Sequence, residues 1–197
     1  MFVVRWIIGR IILFLNFVFS PKSPKLTAEQ QTQIANLAKP FPEFQLADLM
    51  DENKLYTKQD LLGEYTLINV WGTWCVTCRV ELPFMTQLRQ QGIKIVGVYY
   101  DNAAEAAFGE LDVRNTRKDV TQMLAQLGNP FQFNIYDEKR DLSLDLGVTG
   151  APESFLIDDK GTIIAHRRGA IDHRVWQNEF APLFPSSSGS QQSLEQN

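Results

Sequence analysis

The sequence predicts an α/β fold: a single-sheet sandwich built on one mixed sheet. Three observations carry this prediction. "YTLINVW" and "IKIVGVYY" are continuous apolar runs separated by a stretch of helical character. They read as a strand–helix–strand unit with parallel strands and a right-handed crossover. "SFLIDDKGTIIAHRRG" reads as an antiparallel hairpin with its turn at "DDKG". Finally, 44% hydrophobic against 21% charged residues in 197 supplies the core of one ordinary domain, with residues left for tails.

The elements follow in order. Residues 1–20 are apolar from Phe2 to Phe19 except for Arg5, Gly9, Arg10 and Asn16. The run after Arg10 alone covers only about half of a ~30 Å hydrocarbon core. With both arginines reaching back to the headgroups, the whole segment is long enough to span. The arginines precede the main run, which places the N-terminus inside. No A-x-A-like cleavage site follows, so 1–20 is read as a retained signal-anchor in preference to a removed signal peptide. Residues 21–39, rich in Pro, Lys, Gln and Thr, form a linker, and 40–184 the folded domain. The Ser- and Gln-rich 185–197 is expected to be disordered.

Within the domain, "FQLADL" and "KLYT" flank "MDEN" as a short hairpin extension. The strand "YTLINVW" ends before Gly72, and a helix after Cys75 runs to Gln91 with Gly92 as its stop. The second strand "IKIVGVYY" comes next. "DNAAEAAFGELDVRNT" fits either a helix or a surface excursion. "RKDVTQMLAQLG" has helical spacing, "FQFNIYD" is a strand and "RDLSLDLG" a short helix. "DHRVWQNEFAPLF" is expected to close the domain as an amphipathic helix.

The net charge is −4 and Lys and Arg are scattered, so nucleic acid is not an expected partner. Cys75 and Cys78 are the only cysteines. Their C-x-x-C spacing serves a redox pair, half a zinc site, a Cu(I) site of a metallochaperone, or a structural staple. A staple closing so short a loop removes little unfolded-state entropy. Zinc needs four ligands, and only His166 and His173 could complete the set, at a spacing wider than in zinc fingers. Soft thiolates suit Cu(I). The redox reading draws on position: Cys75 follows a buried strand and opens a helix, where free N–H groups and the dipole stabilise a thiolate.

"VWGTWCVTC" followed by Pro83, together with "GVTGAPESFLID", resembles the thioredoxin superfamily. More closely, the chain resembles the DsbE/CcmG family of periplasmic, membrane-anchored thiol:disulfide interchange proteins of cytochrome c maturation. The likeness covers most of 40–184, including "FPEFQLADL", "LGNPFQFNIYD" and the closing "DHRVWQNEFAPLF". It implies a thioredoxin-like single mixed sheet with helices on both faces, and an N-terminal anchor.

The resemblance also implies roles. Cys75 is the nucleophile and Cys78 its resolving partner. Pro83 kinks the active-site helix. Pro152 is a cis-proline facing the cysteines, and the backbone at Ala151 pairs with an extended substrate segment. Glu81, one turn past Cys78, is a candidate proton relay, against the plainer reading of a solvated helix-start carboxylate. Glu153 is expected to shape an acidic groove or raise the cysteine pKa, against that of a strand-end surface charge. Trp74 covers the thiols and meets partners, whereas Trp71 belongs to the core. Asn69 lies six residues before Cys75, where thioredoxins have a buried Asp. As an amide it is expected to be a hydrogen-bonded core group.

Two features depart from the family pattern. Val76 stands where well-known relatives have Pro, and the excursion at 101–116 is longer than in familiar members; of a partner-binding loop and a tolerated surface insertion, the second is preferred because closure entropy grows slowly with length. The expected protein is a membrane-tethered, monomeric thiol–disulfide oxidoreductase of the inner membrane, its catalytic domain in the periplasm. It would reduce apocytochrome c or a maturation partner, with a membrane thiol-relay protein as electron donor. No cofactor is implied beyond the redox-active disulfide Cys75–Cys78. A general periplasmic thioredoxin-like reductase or oxidase is the enzymatic alternative, and a copper-binding metallochaperone the non-enzymatic one.

Overall fold

The computed structural model describes residues 27–102 and 113–185. The expected signal-anchor, the 103–112 part of the excursion and 186–197 lie outside the described residues.

Eight strands are described. β4 (Thr66–Trp71) and β5 (Lys94–Tyr99) are the two apolar runs, and all six residues of each are buried. They pair in parallel, and β5 pairs in parallel with β6 (Asn134–Tyr136). The predicted hairpin is β7 (Glu153–Ile157) and β8 (Thr162–Arg168), antiparallel with one irregularity at Leu156/Ile157. β7 also pairs antiparallel with β4, and β8 with β1 (Lys39–Pro40), giving the sheet order β1-β8-β7-β4-β5-β6. β2 (Gln45–Ala47) and β3 (Leu55–Thr57) form a separate antiparallel hairpin, at the place the sequence predicts.

α2 (Val76–Gln90) connects β4 to β5, with Pro83 inside it. The sheet is buried on both faces because successive side chains of a strand point opposite ways. Leu67, Trp71, Ile95 and Tyr99 join the cluster that holds Leu82, Met85 and Val120, while Ile68, Val70, Val96 and Val98 join Phe155 and Ile157 in the other. Asn69 therefore shares its face with Leu67 and Trp71, toward α2. Opposite it on β5 stands Gly97, where a Cβ would collide with Asn134 Oδ1. That oxygen accepts the Trp71 indole N–H at 2.9 Å, so the absent side chain makes room for a buried bond.

Three segments differ from the expected pattern. The stretch read as a linker contains helix α1 (Ala28–Leu37), which runs beside β8. α3 (Val113–Leu127) begins four residues before the predicted "RKDV" start and stops at Gly128, whose φ is +97°. After the short α4 (Asp141–Asp145), the closing segment is not a regular α-helix. α5 (His173–Val175) widens into a π-turn at Trp176–Phe180 and tightens to a 3₁₀ turn at Ala181–Leu183. Pro182 has no N–H to donate to the preceding turn, so an α-ladder cannot continue through it. The wide turn sets Trp176 and Phe180 face to face, centroids 6.0 Å apart, with both rings buried.

Candidate active site

Cys75 and Cys78 are joined by a disulfide at the head of α2. Cys75 is the N-cap residue, and its Sγ accepts the N–H of Cys78 at 3.0 Å. An N-cap acceptor occupies the place where free helical N–H groups converge. The two sulfurs are not equivalent: Cys75 is 5% exposed and Cys78 fully buried. Around them the first turn is open, with Val76 and Val80 each more than 70% exposed.

The loop from β4 to Cys75 is tied down at both ends. Trp74 folds back over Gly72, where a Cβ would collide with the indole, and donates Nε1–H to the Tyr100 carbonyl at 2.9 Å. Its ring packs against both core clusters, so it is a part-buried brace beside the disulfide. The Arg79 guanidinium donates twice to the Thr73 carbonyl, at 2.7 and 3.2 Å. Thr73 Oγ1 lies 2.9 Å from the Tyr99 hydroxyl, which donates to Asp101. Sequence reasoning missed Arg79, whose partner is a backbone carbonyl, and Tyr99, whose partner Thr73 lies 26 residues away in the cysteine loop.

The Ala151–Pro152 peptide bond is cis. Because Glu153 pairs with Val70, Pro152 falls at the Trp71 end of β4, the end from which the cysteine loop departs. Ala151 packs against both clusters, including the one that contains the two cysteines. Glu153 is neither a surface charge nor the wall of a groove, for it is 2% exposed. Its Oε1 accepts the Thr149 N–H and hydroxyl, both at 2.7 Å, and the Gly150 N–H at 3.1 Å. Its Oε2 lies 2.7 Å from His166 Nε2. Burial alone would raise this carboxyl, but the bonds from Thr149, His166 and Gly150 hold it below the usual carboxylate value. Its visible task is to fix the turn that leads into Pro152.

Glu81 is likewise buried, at 2% exposed, one turn past Cys78 on α2. Its Oε1 accepts from Asn69 Nδ2 at 2.9 Å and its Oε2 from the Ile171 N–H at 2.8 Å. Asn69 Nδ2 also donates to Ser154 Oγ at 3.0 Å. Burial pushes the Glu81 carboxyl up to about 7, against the two N–H donors that favour its charge. The reading of a solvated helix-start Glu is thereby excluded. Asn69 is the buried, bonded amide that was expected, and its partner Glu81 was not foreseen. The alternation of β4 turns Asn69 toward α2, but identifying Glu81 and Ser154 requires the register.

His166 is engaged by Glu153, and the His173 ring lies 6.2 Å from Phe84. Among the described residues no group of three or more His, Cys, Asp or Glu is placed to hold a metal.

A disulfide between an N-cap cysteine and a buried second cysteine, on a mixed sheet with a cis-proline at its strand end, defines a thioredoxin-fold thiol–disulfide oxidoreductase. Comparisons with known proteins agree. The Redoxin family model matches residues 36–179. The chain is 42% identical over 152 residues to the thiol:disulfide interchange protein DsbE of Pseudomonas aeruginosa, covering 76% of each chain. It is 39% identical over 175 residues to DsbE of Vibrio cholerae, covering 87% of this chain and 88% of that one. A solved thiol:disulfide interchange protein structure from Chlorobium tepidum shares the fold, with a TM-score of 0.54 at 24% identity over 71% of this chain and 92% of that one. The chain belongs to the thioredoxin-superfamily redoxins, among the DsbE-type thiol:disulfide interchange proteins.

Proposed function

We propose that this oxidoreductase works as a reductant on the periplasmic side of the inner membrane, a monomer held there by residues 1–20. Its client is the disulfide of apocytochrome c or of a maturation partner, opened before haem attachment, which needs the free thiols of a C-x-x-C-H site. A membrane thiol-relay protein returns the electrons. What supports this reading is the likeness to DsbE-type thiol:disulfide interchange proteins, and what supports the order of attack is the inequivalence of the two sulfurs: one at the helix cap and 5% exposed, one fully buried.

In the reduced protein the Cys75 thiolate is stabilised by the cap N–H of Cys78 and the helix dipole. It attacks one sulfur of the client disulfide. The client S–S bond breaks, a mixed disulfide forms at Cys75, and the other client sulfur leaves as a thiolate that takes up a proton. The client segment lies extended along the backbone at Ala151 beside Pro152, with Trp74 flanking the thiols. Glu81 then accepts the proton of Cys78, whose thiolate attacks Cys75 Sγ. The mixed disulfide breaks, Cys75–Cys78 closes, and the second client sulfur leaves as a thiolate that takes up the proton Glu81 had accepted, so the client departs as a dithiol, two electrons richer. A donor dithiol reverses these steps to regenerate the enzyme.

The reduction potential tests the direction. A reductant equilibrates with a thioredoxin couple, near about −270 mV, whereas a value near about −120 mV would mark an oxidant and overturn the assignment.

A further inference from the structure

Among the described residues, Asn69 is the one side chain that hydrogen-bonds the Glu81 carboxylate, and the same amide nitrogen also donates to Ser154. We propose that Asn69, anchored by Ser154, is the positioning residue that keeps Glu81 able to lose and regain a proton during thiol exchange. The inference rests on the reading of Glu81 as proton carrier and names the residues on which that capacity depends.

The Asn69 amide has two N–H donors, one on Glu81 Oε1 and the other on Ser154 Oγ. Its own Oδ1 is buried without a hydrogen-bond partner among the described residues. Turning the amide over would set Oδ1 against the carboxylate. An oxygen set against a carboxylate is repelled, whereas an N–H is attracted, so the ionised Glu81 selects the observed orientation, and Ser154 Oγ anchors the amide by taking its second N–H. Held so, Asn69 can only donate. A fixed donor favours the ionised carboxylate and opposes the burial that favours the neutral acid.

The groups around Glu81 leave this task to Asn69. On α2, Cys78 lies three residues before Glu81, about one turn away on the same face. From β7 comes Ser154, with Glu153 beside it turned away toward Thr149 and His166. From the segment before α5 comes the Ile171 N–H, followed by Asp172, whose Oδ1 is occupied by the Val175 N–H. The hydrogen bonds to the carboxylate thus come from two neutral donors, of which only Asn69 is a side chain. The same amide ties three elements together: α2 through Glu81, β4 by its own backbone, and β7 through Ser154, two residues past Pro152.

The test is the carbon-13 titration of the Glu81 carboxyl in full-length protein carrying labelled Glu, with the resonance assigned by Glu81→Gln. Asn69→Leu is expected to raise the proton affinity of Glu81 about tenfold or more, as loss of one bond to a charged group requires. Ser154→Ala, which removes the second partner of the amide nitrogen and loosens Asn69, shifts the titration the same way by less, and Ser154→Thr, which keeps a hydroxyl there, does not. If Asn69→Leu does not fold, Ser154→Ala decides. A Glu81 titration unmoved in Ser154→Ala overturns the proposal. The proton-carrier reading is tested separately: the pH profile of client reduction loses its Glu81-dependent limb in Glu81→Gln. An unchanged profile there, with the titration shifts intact, would sink the carrier role and leave Asn69 as a tuner of a spectator group.

Discussion

The Glu153 carboxylate lies 2.7 Å from His166 Nε2 across the β7–β8 pair, and its other oxygen gathers three donors from Thr149 and Gly150. One buried acid thus fixes both the second strand of the hairpin and the turn that precedes Pro152. Glu153→Ala strands these donors and is expected to lower stability by about 3 kcal/mol in urea unfolding at pH 7. The sign with pH follows from its lowered pKa. The stabilisation is present above the unfolded carboxylate value and is lost as pH falls through the folded one. Wild type should lose stability on acidification, and Glu153→Gln should lose less over the same range.

Glu81 behaves in the opposite sense. Its folded pKa is raised to about 7, so the folded form keeps a proton that the unfolded chain has released. Stability is highest below the ordinary carboxylate value, declines as pH rises, and levels off above the folded value. The span is on the order of 3 kcal/mol at most for this one group. Urea unfolding of the oxidised protein across that window should show the decline, and Glu81→Gln should flatten it.

Val76 occupies the first position of α2, is largely exposed, and follows a Cys75 already extended at φ −87°, ψ 106°. That is the conformation a residue before proline requires, and the first helical position is the one where proline's missing N–H is not needed. Val76→Pro is therefore expected to leave stability within about 0.5 kcal/mol of wild type. A larger loss in urea unfolding would mean that the Val76 side chain or N–H holds the site. The substitution then isolates how the dipeptide between the cysteines tunes the potential, free of any change in folding.

The parts legible in the sequence are those written in contiguous residues. β4 and β5 are apolar without interruption, α2 begins at the cysteines and stops at Gly92, and the β7–β8 turn is spelled by "DDKG". The cysteine pair and the Pro152 strand were legible for the same reason. What stayed hidden depends on register and burial. Asn69 reaches Glu81 across 12 positions and Ser154 across 85. Glu153 read as a groove charge because most Glu side chains are exposed, and only the fold supplies the donors that make its burial tolerable. α1 was hidden by a polar composition that also suits a linker, and the closing helix by the effect of Pro182 on its ladder.

The most direct measurement of the central claim mixes the Cys78→Ser protein, reduced, with an oxidised C-x-x-C-H peptide and locates the covalent bond by mass spectrometry. The account predicts a stable mixed disulfide at Cys75, while wild type releases the peptide as a dithiol and closes Cys75–Cys78. Absence of the mixed disulfide, with wild type leaving the peptide oxidised, would contradict it.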